Sequence, residues 1–324
     1  MGTNETRPQL ECLSVGILVA DHLCEPIPRV PAAGELILCP KLSLSIGGCA
    51  ANVAIDLARL GVRVGAVGCV GRDSFGRFIV DTLSSADVDV SSVRAIEDAE
   101  TSGTLIINVE GEDRRFIHSP GANARLRAAD IPLDLVQKAK VLYVGGYHLM
   151  PELEGEPLAS LFRQARAWGV KTVLDIVMPP SAESWEPLAG VLRETDVFLP
   201  NQDEAAMLTG LDDPIEQAGQ LAQSVAGAVA ITCGEKGIVV VSGDQRLRAA
   251  AHKVEYRGGT GAGDAFDAGF IAGMLQGKEL PDCLRWASAV GASCVRSISA
   301  TDAVFTRSEA MEFMRANKLE ISSF

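Results

Sequence analysis

Apolar positions along this chain fall into two textures. From residue 141 onward, short continuous apolar runs at 141–145, 172–176, 197–199 and 228–232 read as buried strands, and stretches of helical period at 158–168 and 215–224 separate them. The turn Cys233-Gly234-Glu235-Lys236-Gly237 leads to strands at 238–241 and 247–250, and helices over 281–296 and 308–317 end the chain. Nearer the N-terminus, 12–20 reads as a buried strand ending at Asp21-His22, and strand 64–70 followed by helix 75–83 completes a βαβ pattern. Strands joined by helices imply an α/β fold with a doubly wound, mainly parallel sheet flanked by helices. Two stretches depart from this. Residues 23–46 are Pro-rich with short alternating pieces at 35–38 and 42–46, and residues 101–118 form two strand-like runs around the turn Glu110-Gly111-Glu112-Asp113. They predict a small β-sheet standing off the main body.

Composition narrows the function classes. The formal charge of -13 argues against nucleic acid as a main partner, because that binding rests on Lys and Arg neutralising phosphates. No apolar run approaches ~20 residues, so no membrane span is expected. The eight cysteines are scattered without a C-x-x-C pair and residues 1–9 lack a signal-peptide apolar region, which predicts reduced thiols in a cytoplasmic protein. Cys49, inside a glycine motif, is the one cysteine expected to line a site.

Candidate chemistry concentrates where glycines open helices. Gly258-Gly259-Thr260-Gly261-Ala262-Gly263-Asp264 precedes a run of small and apolar residues, and a helix start presents unpaired N–H groups to an anion. If Gly261, Ala262 and Gly263 supply those groups, Asp264 stands beside the anion, either as general base for an attacking hydroxyl or as a dipole partner behind a Thr260 N-cap. Gly47-Gly48-Cys49-Ala50-Ala51-Asn52 opens a second helix that Gly61 closes. Asn52 either faces a ligand there or ties the helix start to a loop. Asp21, past a strand end, either contacts a ligand or forms a turn.

Four motifs, Gly47-Gly48-x-x-x-Asn52, Asn201-x-x-Glu204, Thr232-x-Gly234-x-x-Gly237 and Gly261-Ala262-Gly263-Asp264, occur in the order and separations of one family. The chain resembles the ribokinase-like (PfkB) carbohydrate kinases over nearly its whole length. The resemblance implies a single domain, 1–324, that moves the γ-phosphate of ATP, with Mg2+, to a hydroxyl of a sugar, nucleoside or similar small molecule. It implies Asp264 as base and the N–H groups of Gly261, Ala262 and Gly263 as anion hole. It places Asp21, Gly47, Gly48 and Asn52 on the acceptor; His148, which follows the strand at 141–145, either reaches the acceptor from the sheet edge or is structural. Glu204 would lie near the metal and phosphates, and Asn201, Thr232, Gly234 and Gly237 in the nucleotide site. The two β stretches, about 22–46 and 100–118, would form a lid that covers the sugar and serves as a homodimer interface.

The chain also leaves the family pattern. Gly258 and Gly259 stand where an aspartate followed by Thr or Ser is usual, and residues 295–300 fit the associated cation loop poorly, which argues against potassium activation. Cys49 replaces a lysine that ribokinases proper carry beside the sugar, so ribose becomes a weaker guess. Asp175 either contacts solvent or nucleotide at a strand end or, the preferred reading, caps a turn; Arg114 and Arg115 either reach an anionic substrate group or, again preferred, form a solvated ribbon face; Lys236 either approaches nucleotide phosphates or is by default an exposed turn lysine. A nicotinamide-binding reading fails because no Gly-rich fingerprint follows the first strand. A sugar-binding regulator without catalysis is separated from a kinase by sugar-dependent ADP formation.

Overall fold

The computed structural model describes residues 9–112, 114–178 and 185–324. Its strands are β1 (Cys12–Gly16), β2 (Val19–Ile27), β3 (Leu42–Gly47), β4 (Val64–Gly71), β5 (Asp89–Ile96), β6 (Gly103–Val109), β7 (Arg115–Ser119), β8 (Val141–Tyr147), β9 (Lys171–Ile176), β10 (Val197–Phe198), β11 (Ala228–Thr232), β12 (Ile238–Ser242), β13 (Gln245–Ala249) and β14 (Ile321–Ser323). The helices are α1 (Cys49–Arg59), α2 (Ser74–Ser85), α3 (Leu133–Lys138), α4 (Glu156–Ala167), α5 (Trp185–Leu192), α6 (Gln202–Thr209), α7 (Pro214–Leu221), α8 (Ala262–Leu275), α9 (Leu280–Cys294) and α10 (Arg307–Ala316).

Ten strands form the main sheet in the order β14-β13-β12-β11-β10-β9-β8-β1-β4-β5. Pairing is parallel from β11 through β5 and antiparallel from β11 to β14. The chain winds one way from β1 through β4 to β5 and the other way from β8 through β11, so the order reverses between β1 and β8. In such sheets ligands bind beyond the carboxyl ends of the strands at that reversal.

Both faces of the sheet are covered, which is why its strands read as continuous apolar runs. Side chains alternate along β8: Val141 and Tyr143 join the core beneath α1, α2, α8 and α9, while Leu142 and Val144 join the core beneath α4, α5 and α7. Helix α8 is apolar all round because it lies inside the first core. Gly269 lets it press onto α9, where a Cβ would stand 2.7 Å from Ala287 Cα.

The second sheet has the order β3-β2-β6-β7. Its origin corrects the expectation of one strand over 12–20. Gly16 takes φ 144°, and a Cβ there would overlap the carbonyl oxygen of Gly145. Only glycine fits, the chain turns out of the main sheet, and β2 starts at Val19. Asp21 therefore lies within a strand of the small sheet, not just past a main-sheet strand. The alternating piece at 35–38 forms no strand, and Leu36 and Leu38 are exposed.

Candidate active site

Helix α8 starts on Gly261, in the left-handed region at φ 78° and without a side-chain cap. A Cβ on Gly261 would stand 2.6 Å from that of Ala300, so the turn requires glycine. The Ala265 N–H bonds the Gly261 carbonyl at 2.8 Å, and the Ala262 N–H bonds the Gly259 carbonyl at 3.2 Å. No backbone acceptor among the described residues faces the N–H groups of Gly263 and Asp264. Of the three residues expected to form the anion hole, Ala262 spends its N–H within the turn, while the N–H groups of Gly261 and Gly263 meet no backbone acceptor among the described residues. A Cβ on Gly263 would meet nothing within 4 Å, so the helix presents its positive end to open space.

Asp264 is held from α1. Asn52 donates its Nδ2 to Asp264 Oδ2 at 2.8 Å, and Asn52 Oδ1 is buried with no partner. One bond therefore joins the starts of α1 and α8. Burial pushes the Asp264 carboxyl above the usual carboxylate range, opposed by hydrogen bonds from Asn52 and Cys49. Cys49, Asp175 and Asp264 place potential ligand atoms within 4.8 Å of one another. Burial and the two aspartates push the Cys49 thiol well up, and its single hydrogen can serve one of the two carboxylates at a time. Asp175 is raised well above its usual range by burial and by the charges of Glu204 and Asp264, which places it in the acidic group and corrects its reading as a mere turn cap. Asp267, one turn beyond Asp264, accepts from the Tyr143 hydroxyl at 3.1 Å.

The small sheet contributes the opposite wall. A Cβ on Gly47 would overlap the Asp21 carboxylate, and a Cβ on Gly48 would stand 2.5 Å from the Ile17 carbonyl oxygen. Asp21 is pushed up to about 7 by burial and by the charge of Asp264, opposed by a hydrogen bond with Thr104. Arg114 corrects its reading as a solvated ribbon residue: its Nη1 donates to Thr260 Oγ1 at 2.7 Å, beside the anion-binding turn. Arg115 pairs with Glu112 at the surface. Ser45 Oγ lies 3.3 Å from Ser299 Oγ, a second contact of this sheet with the body.

The residues expected on the nucleotide side lie at the ends of β10 and β11. Asn201 caps α6 through the Glu204 N–H at 2.9 Å, and Glu204 Oε2 accepts from the Asn201 N–H at 2.9 Å. Burial raises Glu204 to about 7, with the charges of Asp203 and Asp264 adding to it and bonds from Asn201 opposing it. Asn201 forms a parallel bridge with Thr232, which brings the second and third motifs side by side. Gly234 (φ 57°) has open space around it, and Gly237 (φ 97°) leaves no room for a side chain against the Ala249 carbonyl oxygen. Lys236 is exposed. His148, at the unusual φ of 78°, has Tyr147 and Glu154 as its contacts, and none joins it to the Asp264 group among the described residues.

A family model described as "pfkB family carbohydrate kinase" matches residues 10–307. The chain is 28% identical to a ribokinase of Haemophilus influenzae over 309 residues, 93% of this chain and 97% of that protein. It is 29% identical to a 2-dehydro-3-deoxygluconokinase of Bacillus subtilis over 293 residues, 85% of this chain and 88% of that protein. The fold superposes on the structure of Arabidopsis thaliana ribokinase complexed with ribose and ATP with a TM-score of 0.81 at 23% identity, covering 95% of this chain and 99% of that one.

Proposed function

The chain belongs to the pfkB family of carbohydrate kinases, and on that premise we propose how its residues divide the transfer of the γ-phosphate of ATP to a sugar hydroxyl. Asp264 is the general base. Asn52 holds the carboxylate through Oδ2, and the raised proton affinity of the buried carboxyl suits it to take the hydroxyl proton. The N–H groups of Gly263 and Asp264, at a helix start, stabilise the charge spread over the transferred phosphoryl oxygens. Arg114, brought to Thr260 by the small sheet, adds a guanidinium to the same end. Asp21, Gly47, Gly48 and the unpartnered Asn52 Oδ1 hold acceptor hydroxyls, whereas Asn201, Glu204 and the turn from Thr232 to Gly237 serve the nucleotide.

Magnesium fits the acidic group. Glu204 keeps Oε1 free of its capping bond, and the charge of Glu204 raises the proton affinity of Asp175. A bound Mg2+ takes one or two carboxylates with water and phosphate oxygens and would neutralise charge on the phosphates. The Cys49 thiol is a poor ligand for that ion and instead offers its one hydrogen to Asp175 or Asp264. A Cβ at Gly258 would stand 3.0 Å from the Ser297 carbonyl oxygen, a tight contact at the place where the family usually carries an aspartate, and turnover is expected without potassium.

Leu44, Leu105 and Ile117 form an exposed apolar row on the outer face of the small sheet, beside His22. A second copy of the chain is the partner proposed for it, and a monomeric mass in solution at assay concentration would remove that part. The eight cysteines are unbonded to one another, which fits a reducing cytoplasm.

The bond from Asn52 to Asp264, beside two unspent N–H groups, is the observation that carries this reading. Ribose, fructose, 2-keto-3-deoxygluconate, sugar phosphates and nucleosides, each with Mg-ATP in potassium-free buffer and read as ADP, test it. Saturable ADP formation that depends on a sugar is expected; saturable sugar binding with no ADP would leave a binder, and activity confined to nucleosides would overturn the sugar assignment.

A further inference from the structure

Across the inner face of the small sheet, register aligns one polar residue from each strand: Ser45 on β3 opposes Asp21 on β2, Asp21 opposes Thr104 on β6, and Thr104 opposes His118 on β7. Alternation puts the apolar row of Leu44, Leu105 and Ile117 on the other face, so the two faces differ in kind. Asp21 and Thr104 are buried, Thr104 is bonded to Asp21, and Thr104 Oγ1 lies 3.0 Å from His118 Nδ1.

With Asp21 ionised, which its carboxyl is above pH about 7, the donor inventory fixes the direction of this chain. A carboxylate only accepts, so the Thr104 hydroxyl spends its one hydrogen on Asp21. In that state its oxygen accepts from His118 Nδ1–H. Burial lowers the proton affinity of His118, which keeps the ring neutral, so its Nε2 carries a lone pair and no hydrogen. That Nε2 is buried and has no partner. An unsatisfied buried acceptor is costly, and it calls for a donor from outside the chain.

We propose that His118 is a specificity residue for the acceptor: its Nε2 accepts a hydrogen from one sugar hydroxyl while Asp21, linked to it through Thr104, accepts from another. Resting on the kinase reading above, this names the acceptor as an uncharged polyhydroxylated sugar. With Asp21 ionised, its carboxylate and the His118 Nε2 lone pair both accept, so together they read hydroxyls and repel a phosphate or carboxylate. The guanidinium of Arg114 does not alter this, because it is bonded to Thr260 at the phosphoryl-transfer end.

Steady-state ADP formation and sugar-binding calorimetry on the wild type and on His118→Ala, His118→Asn and His118→Gln test the proposal, with ribose, fructose and monodeoxy analogues of the better acceptor as probes. Asparagine places its amide near Nδ1 and can keep the Thr104 bond, whereas the glutamine carbonyl reaches the place of Nε2. Ala and Asn are expected to raise the sugar KM about tenfold, the loss of one hydrogen bond that leaves a buried hydroxyl unpaired, with kcat and the KM for ATP within about twofold. Gln is expected to stay near the wild type, and for one deoxy analogue the wild type and His118→Ala should coincide. An unchanged KM in His118→Ala, or an equal loss on every deoxy analogue, overturns the role of His118 while leaving the kinase reading intact. A sugar phosphate or sugar acid used better than its uncharged parent overturns the acceptor class. Absence of ADP from the wild type with every sugar would sink the kinase reading, and this inference with it.

Discussion

Helices α1 and α8 both open on glycine, and the glycines serve opposite ends. At α1 a Cβ on Gly47 would overlap the Asp21 carboxylate, and one on Gly48 would crowd the Ile17 carbonyl. These residues are small so that protein groups can close in. At the start of α8 Gly261 answers a demand of the chain, through its φ of 78° and its contact with Ala300, whereas a would-be Cβ on Gly263 meets nothing within 4 Å beyond its chain neighbours and its own helix backbone. A glycine with nothing around it at a helix start leaves room for something the chain does not supply. The same sequence signature thus marks packing in one place and ligand space in the other, and the Asn52–Asp264 bond joins the two.

Alanine substitutions separate the two uses. Gly263→Ala carries the larger expected effect. Its methyl group enters the anion-binding space, and turnover should fall about 100-fold, in the range for spoiling one preorganised donor. Melting temperature should stay level or rise slightly, since alanine suits a helix better than glycine by up to about 1 kcal/mol. A variant that lost stability and kept turnover would show that the space at Gly263 belongs to packing. Gly47→Ala should act more weakly and in the opposite pattern. Its methyl group displaces the Asp21 carboxylate, which should raise the sugar KM roughly tenfold and cost about 1–3 kcal/mol in overpacking, with kcat little changed. Steady-state kinetics beside thermal melting reads both. A fall in kcat alone for Gly47→Ala would erase the contrast.

Much of this was legible in the chain. Continuous apolar runs at 141–145 and 228–232 gave buried parallel strands because both faces of the sheet are covered, and β8 and β11 lie at those places. The Gly-rich openings gave α1 and α8. The break at Gly16 was hidden because its cause, the carbonyl of Gly145, is 129 positions away in sequence and visible only once β1 and β8 pair. β5 was missed for a different reason: its residues are mostly half-buried, so Asp89–Ile96 lacks a clean apolar pattern. Among site residues, Asp264 and Asn52 carried signals in their motifs. Thr104 and His118 carried none, since two unremarkable polar residues become a pair only through the register of β6 against β7. Arg114 was read as surface because alternation alone cannot show that its strand lies over Thr260.

The central claim is that Asp264 takes the proton of the attacking hydroxyl, and Asp264→Asn tests it most directly. Asparagine preserves shape, and its carbonyl can still accept from Asn52, so ATP and sugar should bind within a few-fold of the wild type by calorimetry. Sugar-dependent ADP formation by the same preparation should fall by about 10^3-fold, within the span attributed to a positioned general base. Wild-type turnover in this variant would contradict the account, because the anion-binding helix start would then do its work without the carboxylate that α1 holds in place.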